Sequence, residues 1–67
     1  MITSKDIDAA IDLYIVGRHA ERNRKILKRR MIDGICFEPL AEEFDMSVSQ
    51  IKRIVYKNQI IIHKYLK

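Results

Sequence analysis

Apolar residues recur along this chain at helical spacing, and nowhere do they alternate over the four or more positions that a half-buried strand needs. Ile7, Ile11, Tyr14 and Ile15 stand at i, i+4, i+7 and i+8 with Asp6, Asp8 and Asp12 on the other side, which predicts a helix over about 4–16, capped by Ser4 and ended by Gly17. A second helix is predicted over 20–33. Ala20, Leu27 and Met31 form its apolar stripe, Ile26 and Ile32 flank the stripe, and Arg22, Arg29 and Arg30 point outward. Gly34 suits the left-handed position that stops a helix, after which Ile35 can fold back on the last turn.

A third, short helix is predicted over 37–44, with acids in its first turn and Pro39 tolerable only near a helix start. Ser47-Val48-Ser49-Gln50 has the S-x-x-Q form of a capping box and opens a fourth helix over 48–66, in which Asn58 is the place for a bend. The expected fold class is therefore all-α: a small bundle of about four helices in one domain.

Helices three and four meet across Asp45-Met46, the arrangement of a helix-turn-helix. That unit needs a small residue where its helices cross, and Ala41 supplies it. It needs inward apolar residues at fixed offsets, and Leu40, Phe44, Met46, Ile51 and Ile54 occupy them. Its turn needs a residue able to leave the right-handed region. Asp45 stands where glycine is common, and Asp enters the left-handed region more readily than most non-glycine residues. With Ile51 turned inward, about 100° per residue carries Val55, Asn58 and Ile62 to the same side, with Ile54, Ile61, Tyr65 and Leu66 flanking. Ser49, Lys52, Arg53, Tyr56 and Lys57 then point outward, a set able to meet base edges and phosphates in a major groove. Tyr56 and Lys57, with Arg29 and Arg30 at the end of the second helix, are the candidate phosphate contacts.

Charge sharpens this picture. The 67 residues carry +4 net, distributed in blocks of −2 over 1–16, +5 over 17–35, −4 over 36–46 and +5 over 47–67, the last block holding no acid at all. Two basic segments bracket an acidic one, which directs attention to a polyanion. Nearly half the residues are hydrophobic and only two glycines and one proline interrupt them, so the chain is expected to fold. The single cysteine, Cys36, is expected to be a partly buried, inert thiol, and its lack of an intrachain partner fits a reducing cytoplasm. Apolar runs are far below the roughly 20 residues of a membrane span. No export signal is readable either, so the expected location is cytoplasmic. His19 and His63 are isolated, and there is no glycine-rich phosphate loop or paired-acid pocket. Neither an enzyme nor a metal or other cofactor is expected.

The stretch Glu21-Arg22-Asn23-Arg24-Lys25-Ile26-Leu27, through Leu40-Ala41-Glu42-Glu43-Phe44, to Val48-Ser49-Gln50-Ile51-Lys52-Arg53-Ile54 resembles region four of bacterial sigma factors. It is closest to the short standalone sigma-region-four-like proteins of Firmicute bacteria and their phages. The resemblance covers about two thirds of the chain and implies an all-helical domain whose last helix enters the major groove of promoter DNA. By residue-for-residue transfer it makes Ser47, Ser49, Gln50, Lys52 and Arg53 the base readers. Cys36 and Pro39 depart from the Thr or Ser and the Glu that usually begin the third helix. Nothing here resembles the sigma region that grips core polymerase, so a complete sigma factor is not expected.

These readings imply a small transcriptional regulator that binds double-stranded DNA by sequence. Two alternatives use the same fold differently: a protein-interaction module contacting RNA polymerase or a sigma factor, and a small phage structural or packaging subunit with DNA affinity from charge alone. Ile60 falls on the outward face of a straight fourth helix, which suggests a homodimer through that helix with Ile60 as its contact and with the isoleucine run and the acidic first helix as further candidate contributors.

Overall fold

A computed structural model describes residues 2–66 and places four helices in them: α1 (Ser4–Tyr14), α2 (Ala20–Met31), α3 (Phe37–Glu43) and α4 (Val48–Leu66), with no strand among the described residues. The fold is a small all-α bundle. α4 is its keel, packing against each of the other three helices, while α1 and α3 are not neighbours of each other.

Helix ends follow from identifiable hydrogen bonds. The cap of α1 is Thr3 rather than Ser4: Thr3 Oγ1 accepts from the Asp6 amide at 3.3 Å, and the Thr3 amide donates to Asp6 Oδ2 at 2.9 Å. Threonine with an acid three residues on closes both halves of a capping box, which Ser4 with Ile7 cannot do. α1 also stops two residues earlier than its apolar pattern suggested. Ile15 turns extended (φ −89°, ψ 100°), and its carbonyl, instead of continuing the helix, accepts from Arg24 Nε of α2 at 2.8 Å. Ile15 remains in the core through this turn, and Gly17 follows at φ +115°.

α2 likewise ends at Met31, two residues short of the predicted boundary. Gly34 at φ +71° reverses the chain, the Ile35 amide reaches back to the Arg29 carbonyl at 3.1 Å, and Ile35 packs on the core. Its buried side is centred between Ile26 and Leu27, both fully covered, whereas Met31 of the predicted stripe is half-buried. The core direction is thus turned toward Ile26, because α2 must face α4 on one side and α1 and α3 on the others.

α3 ends in a Schellman motif that resolves the Asp45 question. Asp45 lies at φ +53°, its amide donates to the Glu42 carbonyl at 3.3 Å, and the Met46 amide donates to the Ala41 carbonyl at 2.9 Å. These are the two bonds that satisfy the last carbonyls of a helix around a left-handed residue. Ser47 and Gln50 then form the predicted capping box, Gln50 N–H to Ser47 Oγ at 3.1 Å and Ser47 N–H to Gln50 Oε1 at 3.0 Å. α4 runs unbroken for 19 residues. Asn58 does not interrupt it: its Nδ2 donates to the Ile54 carbonyl at 2.7 Å, which satisfies a half-buried amide inside the helix.

Ten residues form the core: Ala10, Ile11, Ile15, Ile26, Leu27, Leu40, Ala41, Ile51, Val55 and Ile62, with Phe44, Met46 and Ile54 packed against them. All the inward offsets assigned around Ala41 are therefore buried or half-buried. None of the buried core residues is polar or charged, and no buried side-chain nitrogen or oxygen lacks a partner among the described residues. No helix is long and apolar enough to cross a membrane among the described residues.

Candidate nucleic-acid interface

The outward face of α4 follows from the burial of its other side. Ile51, Val55 and Ile62 are fully covered, so Ser49, Lys52, Arg53, Tyr56 and Lys57, rotated away from them, are all exposed. Ser47 and Gln50 are exposed too, at the leading end, but part of their hydrogen-bonding capacity is used by the capping box. The Ser47 hydroxyl proton and the Gln50 Nε2 group remain as donors, since the cap uses only the oxygens.

The two basic blocks of the sequence are in different situations. In α2, four of the six cations are tied to other parts of the fold, while Arg22 bonds only its neighbour Asn23 and Lys25 makes only an exposed 3.9 Å pair with Glu21. Lys28 Nζ sits 2.8 Å from Asp12 and 3.1 Å from Asp8, joining α2 to α1. The hydrogen bonds from Asp12 and then Asp8 favour the charged ammonium and raise the pKa of Lys28. Arg29 lies between Glu43 of α3, which accepts from its Nε and Nη2 at 3.1 and 2.8 Å, and Asp33, which accepts from Nη1 at 3.2 Å. Those contacts, Glu43 first, raise its pKa as well. Arg24 holds the Ile15 carbonyl, and Arg30 donates to the Ile35 carbonyl at 3.1 Å while its guanidinium lies 4.4 Å above the Phe37 ring. In α4, by contrast, Lys52, Arg53, Lys57 and Lys64 enter no ion pair among the described residues.

The candidate phosphate contacts thus divide. Tyr56 and Lys57 are exposed on the face of α4. Arg29 is occupied as a strut between α2 and α3, with all three guanidinium nitrogens bonded to carboxylates, so its charge is largely offset where it stands. Arg30 is half-buried at the edge of the face, in a cluster that the sequence did not reveal. Phe37, at the start of α3, has Arg30 on its ring, Lys52 Nζ 5.7 Å from its centroid and Tyr56 edge-on at 5.8 Å. One aromatic ring therefore gathers cations from α2 and α4 into a single patch, each such contact contributing about 0.5–1 kcal/mol at an exposed site. The only sequence signal for it was an aromatic residue opening a helix whose core positions were already filled.

Carboxylates bound the face at one end. Glu38, Glu42 and Asp45 line the cleft beside Ser47, Val48 and Gln50, while Glu43 is turned away onto Arg29. Negative potential gathers at the leading end of α4, and the unpaired cations lie farther along. Ile60 is 69% exposed, on the same side as Arg53, Lys57 and Lys64. Cys36 is exposed rather than partly buried: it is the extended residue before α3 (φ −66°, ψ 160°), with its thiol outside the core. Among the described residues, no group of three or more His, Cys, Asp or Glu side chains is placed to hold a metal ion.

No protein-family model, curated protein sequence or solved structure matches the chain.

Proposed function

We propose that the protein binds double-stranded DNA by sequence through a helix-turn-helix formed by α3 and α4, as a small transcriptional regulator resembling sigma factor region four. One observation carries the reading: the exposed side of α4 holds Lys52, Arg53 and Lys57 without a carboxylate partner, in a helix that contains no acid, while the cations of α2 are largely held in internal contacts. Unpaired cations on a rigid helix face are what phosphate neutralisation and base-edge contact require. Ser49, Lys52 and Arg53 are the base readers, with Ser47 and Gln50 contributing their remaining donors. Tyr56, Lys57 and Arg30 meet the backbone, and Arg29 holds α3 at its angle to α2.

Selection of duplexes from a random pool at two salt concentrations tests this. A defined site is the expected result, and Arg53→Ala weakens that site by about 1–3 kcal/mol while Lys57→Ala weakens all duplexes alike and lowers the salt slope by about one. Enrichment of no sequence, with affinity that collapses steeply in salt, would instead assign the charge to non-specific packaging. A second reading, a module that contacts RNA polymerase or a sigma factor, is favoured by a separate feature: exposed apolar side chains on α1 and the end of α4, away from the basic face.

A further inference from the structure

The last two arginines of α2 stand side by side and are held differently. Arg29 gives all three guanidinium nitrogens to carboxylates. Arg30 is fixed by neutral partners: Nη1 donates to the Ile35 carbonyl at 3.1 Å, and the guanidinium carbon lies 4.4 Å from the centroid of the Phe37 ring. Its charge is therefore not offset by any carboxylate among the described residues. The same ring has Lys52 Nζ of α4 at 5.7 Å from its centroid and Tyr56 edge-on, with centroids 5.8 Å apart and planes at 74°. Phe37 is half-buried and packs against the core, so the ring is the fixed member of this cluster and the two cations are what it holds. Arg53 and Lys57, farther along the face of α4, have no such aromatic contact among the described residues.

We propose that Phe37 is a positioning residue for DNA recognition: its ring fixes Arg30 and Lys52 relative to each other, and so sets where the base contact falls relative to the backbone contact. The proposal rests on the DNA-binding reading above, in which Arg30 meets the backbone and Lys52 a base. A phosphate contact places a protein on the duplex and a base contact makes it specific, so the spacing between the two decides the register. Measured from the ring, the two charged groups stand up to about 10 Å apart, and in a major groove about 12 Å wide and 8.5 Å deep the middle of the floor lies about 10 Å from the phosphates at the rim. Phe37 needs no contact with DNA to act in this way.

Long cationic side chains lose rotamer freedom when a complex immobilises them. Contact with a ring before binding removes part of that loss, and it does so without changing the number of charges. The ring therefore matters to a site that demands one geometry. It matters little to non-specific binding, which depends on how many phosphates are neutralised. Arg30 and Lys52 differ from Phe37 in this respect, because removing either one removes a charge.

The selected duplex and one unrelated duplex, titrated at several salt concentrations with variants of the full chain, test this. Phe37→Leu and Phe37→Met keep an apolar side chain at the half-buried position and remove the ring. Each is expected to weaken the selected site about fivefold or more, since two cation contacts of the usual exposed size are lost. The unrelated duplex stays within about twofold of wild type and the salt slope is unchanged. Phe37→Tyr restores the selected site, and Arg30→Gln lowers the salt slope by about one. Equal losses on both duplexes in the two ring-free variants, with helical circular dichroism retained, or wild-type selectivity in either, overturn the proposal. Proton NMR of the free chain reads the cluster without DNA. Ring currents are expected to displace the Arg30 Hδ and Lys52 Hε signals from those of Arg53 and Lys57, and the displacement vanishes in Phe37→Leu. Matching signals from all four wild-type side chains overturn the proposal even where a duplex is selected. Displaced signals with no duplex selected remove the DNA-binding reading, and the recognition role of the ring falls with it.

Discussion

Ser47 occupies two roles that can be separated by substitution, because it caps α4 and also stands at the leading end of the proposed reading face. Ser47→Ala removes the oxygen that accepts from the Gln50 amide at 3.1 Å and leaves the reciprocal bond from Ser47 N–H to Gln50 Oε1 without its companion. The site is exposed, so the freed amide is rehydrated and the loss is that of an ordinary helix cap, about 1 kcal/mol. Unfolding entropy of about 2.1 cal/mol/K per residue gives about 140 cal/mol/K for a chain of this length, so the melting temperature drops by about 7 °C.

Ser47→Asp has the opposite profile. Aspartate caps as well as serine, and a carboxylate at a helix start is favoured by the helix dipole, so the melting temperature stays within about 2 °C of wild type. The substitution adds a fourth carboxylate to Glu38, Glu42 and Asp45 at the leading end. A charge about 4 Å from a phosphate costs about 1 kcal/mol even at the dielectric of water, so affinity for the selected duplex falls at least about fivefold. Calorimetric melting and fluorescence anisotropy on the same samples, at about 0.1 M salt, read the two effects. An unchanged melting temperature for Ser47→Ala defeats the capping argument. Wild-type duplex affinity in Ser47→Asp defeats the placement of this helix end against DNA.

Three further outcomes bear on the fold. Ile51→Ala empties a fully buried position on α4 and is expected to cost about 2–5 kcal/mol, read by urea denaturation; a loss under 1 kcal/mol would mean the core is not centred there. Asp45 sits in the left-handed region, so Asp45→Gly should raise stability by up to about 1 kcal/mol and Asp45→Ala should lower it, with equal melting temperatures for all three contradicting the turn geometry. Lys28 has its pKa raised by Asp12 and Asp8. A pKa raised in the folded state means stability fully present below the unfolded value near 10.5 and lost as pH climbs through the folded value. The stability difference between wild type and Lys28→Met should therefore be constant from pH 8 to 9.5 and shrink above 10.5, and a difference that grows with pH would show that the carboxylates are not what holds the lysine.

Local chemistry was largely legible in the sequence, the α1 cap at Thr3 rather than Ser4 excepted, and contacts between distant residues were not. The Ser47–Gln50 cap, the left-handed Asp45 and the inward series Leu40, Phe44, Ile51 depend on residues within a turn or two of each other, and the structure has each where the spacing put it. The early end of α1 was hidden because it depends on Arg24, nine residues away, capturing a carbonyl. Arg29 looked outward on a helical wheel for the same reason: only the approach of α3 brings Glu43 onto it. The ring of Phe37 drawing Arg30 and Lys52 together, and the Tyr14–Tyr65 stack, are likewise products of how helices meet. Leu13 was visible as an apolar residue among aspartates, but no periodic pattern claimed it.

The continuity of α4 has a consequence for how such a protein diversifies. One uninterrupted rod supplies three of the ten core side chains on its inner side and the unpaired Lys52, Arg53 and Lys57 on the other. On the DNA-binding reading proposed above, changes at the exposed Ser49 or Arg53 alter what the helix reads while the buried Ile51, Val55 and Ile62 stay in place, so target and architecture can change separately.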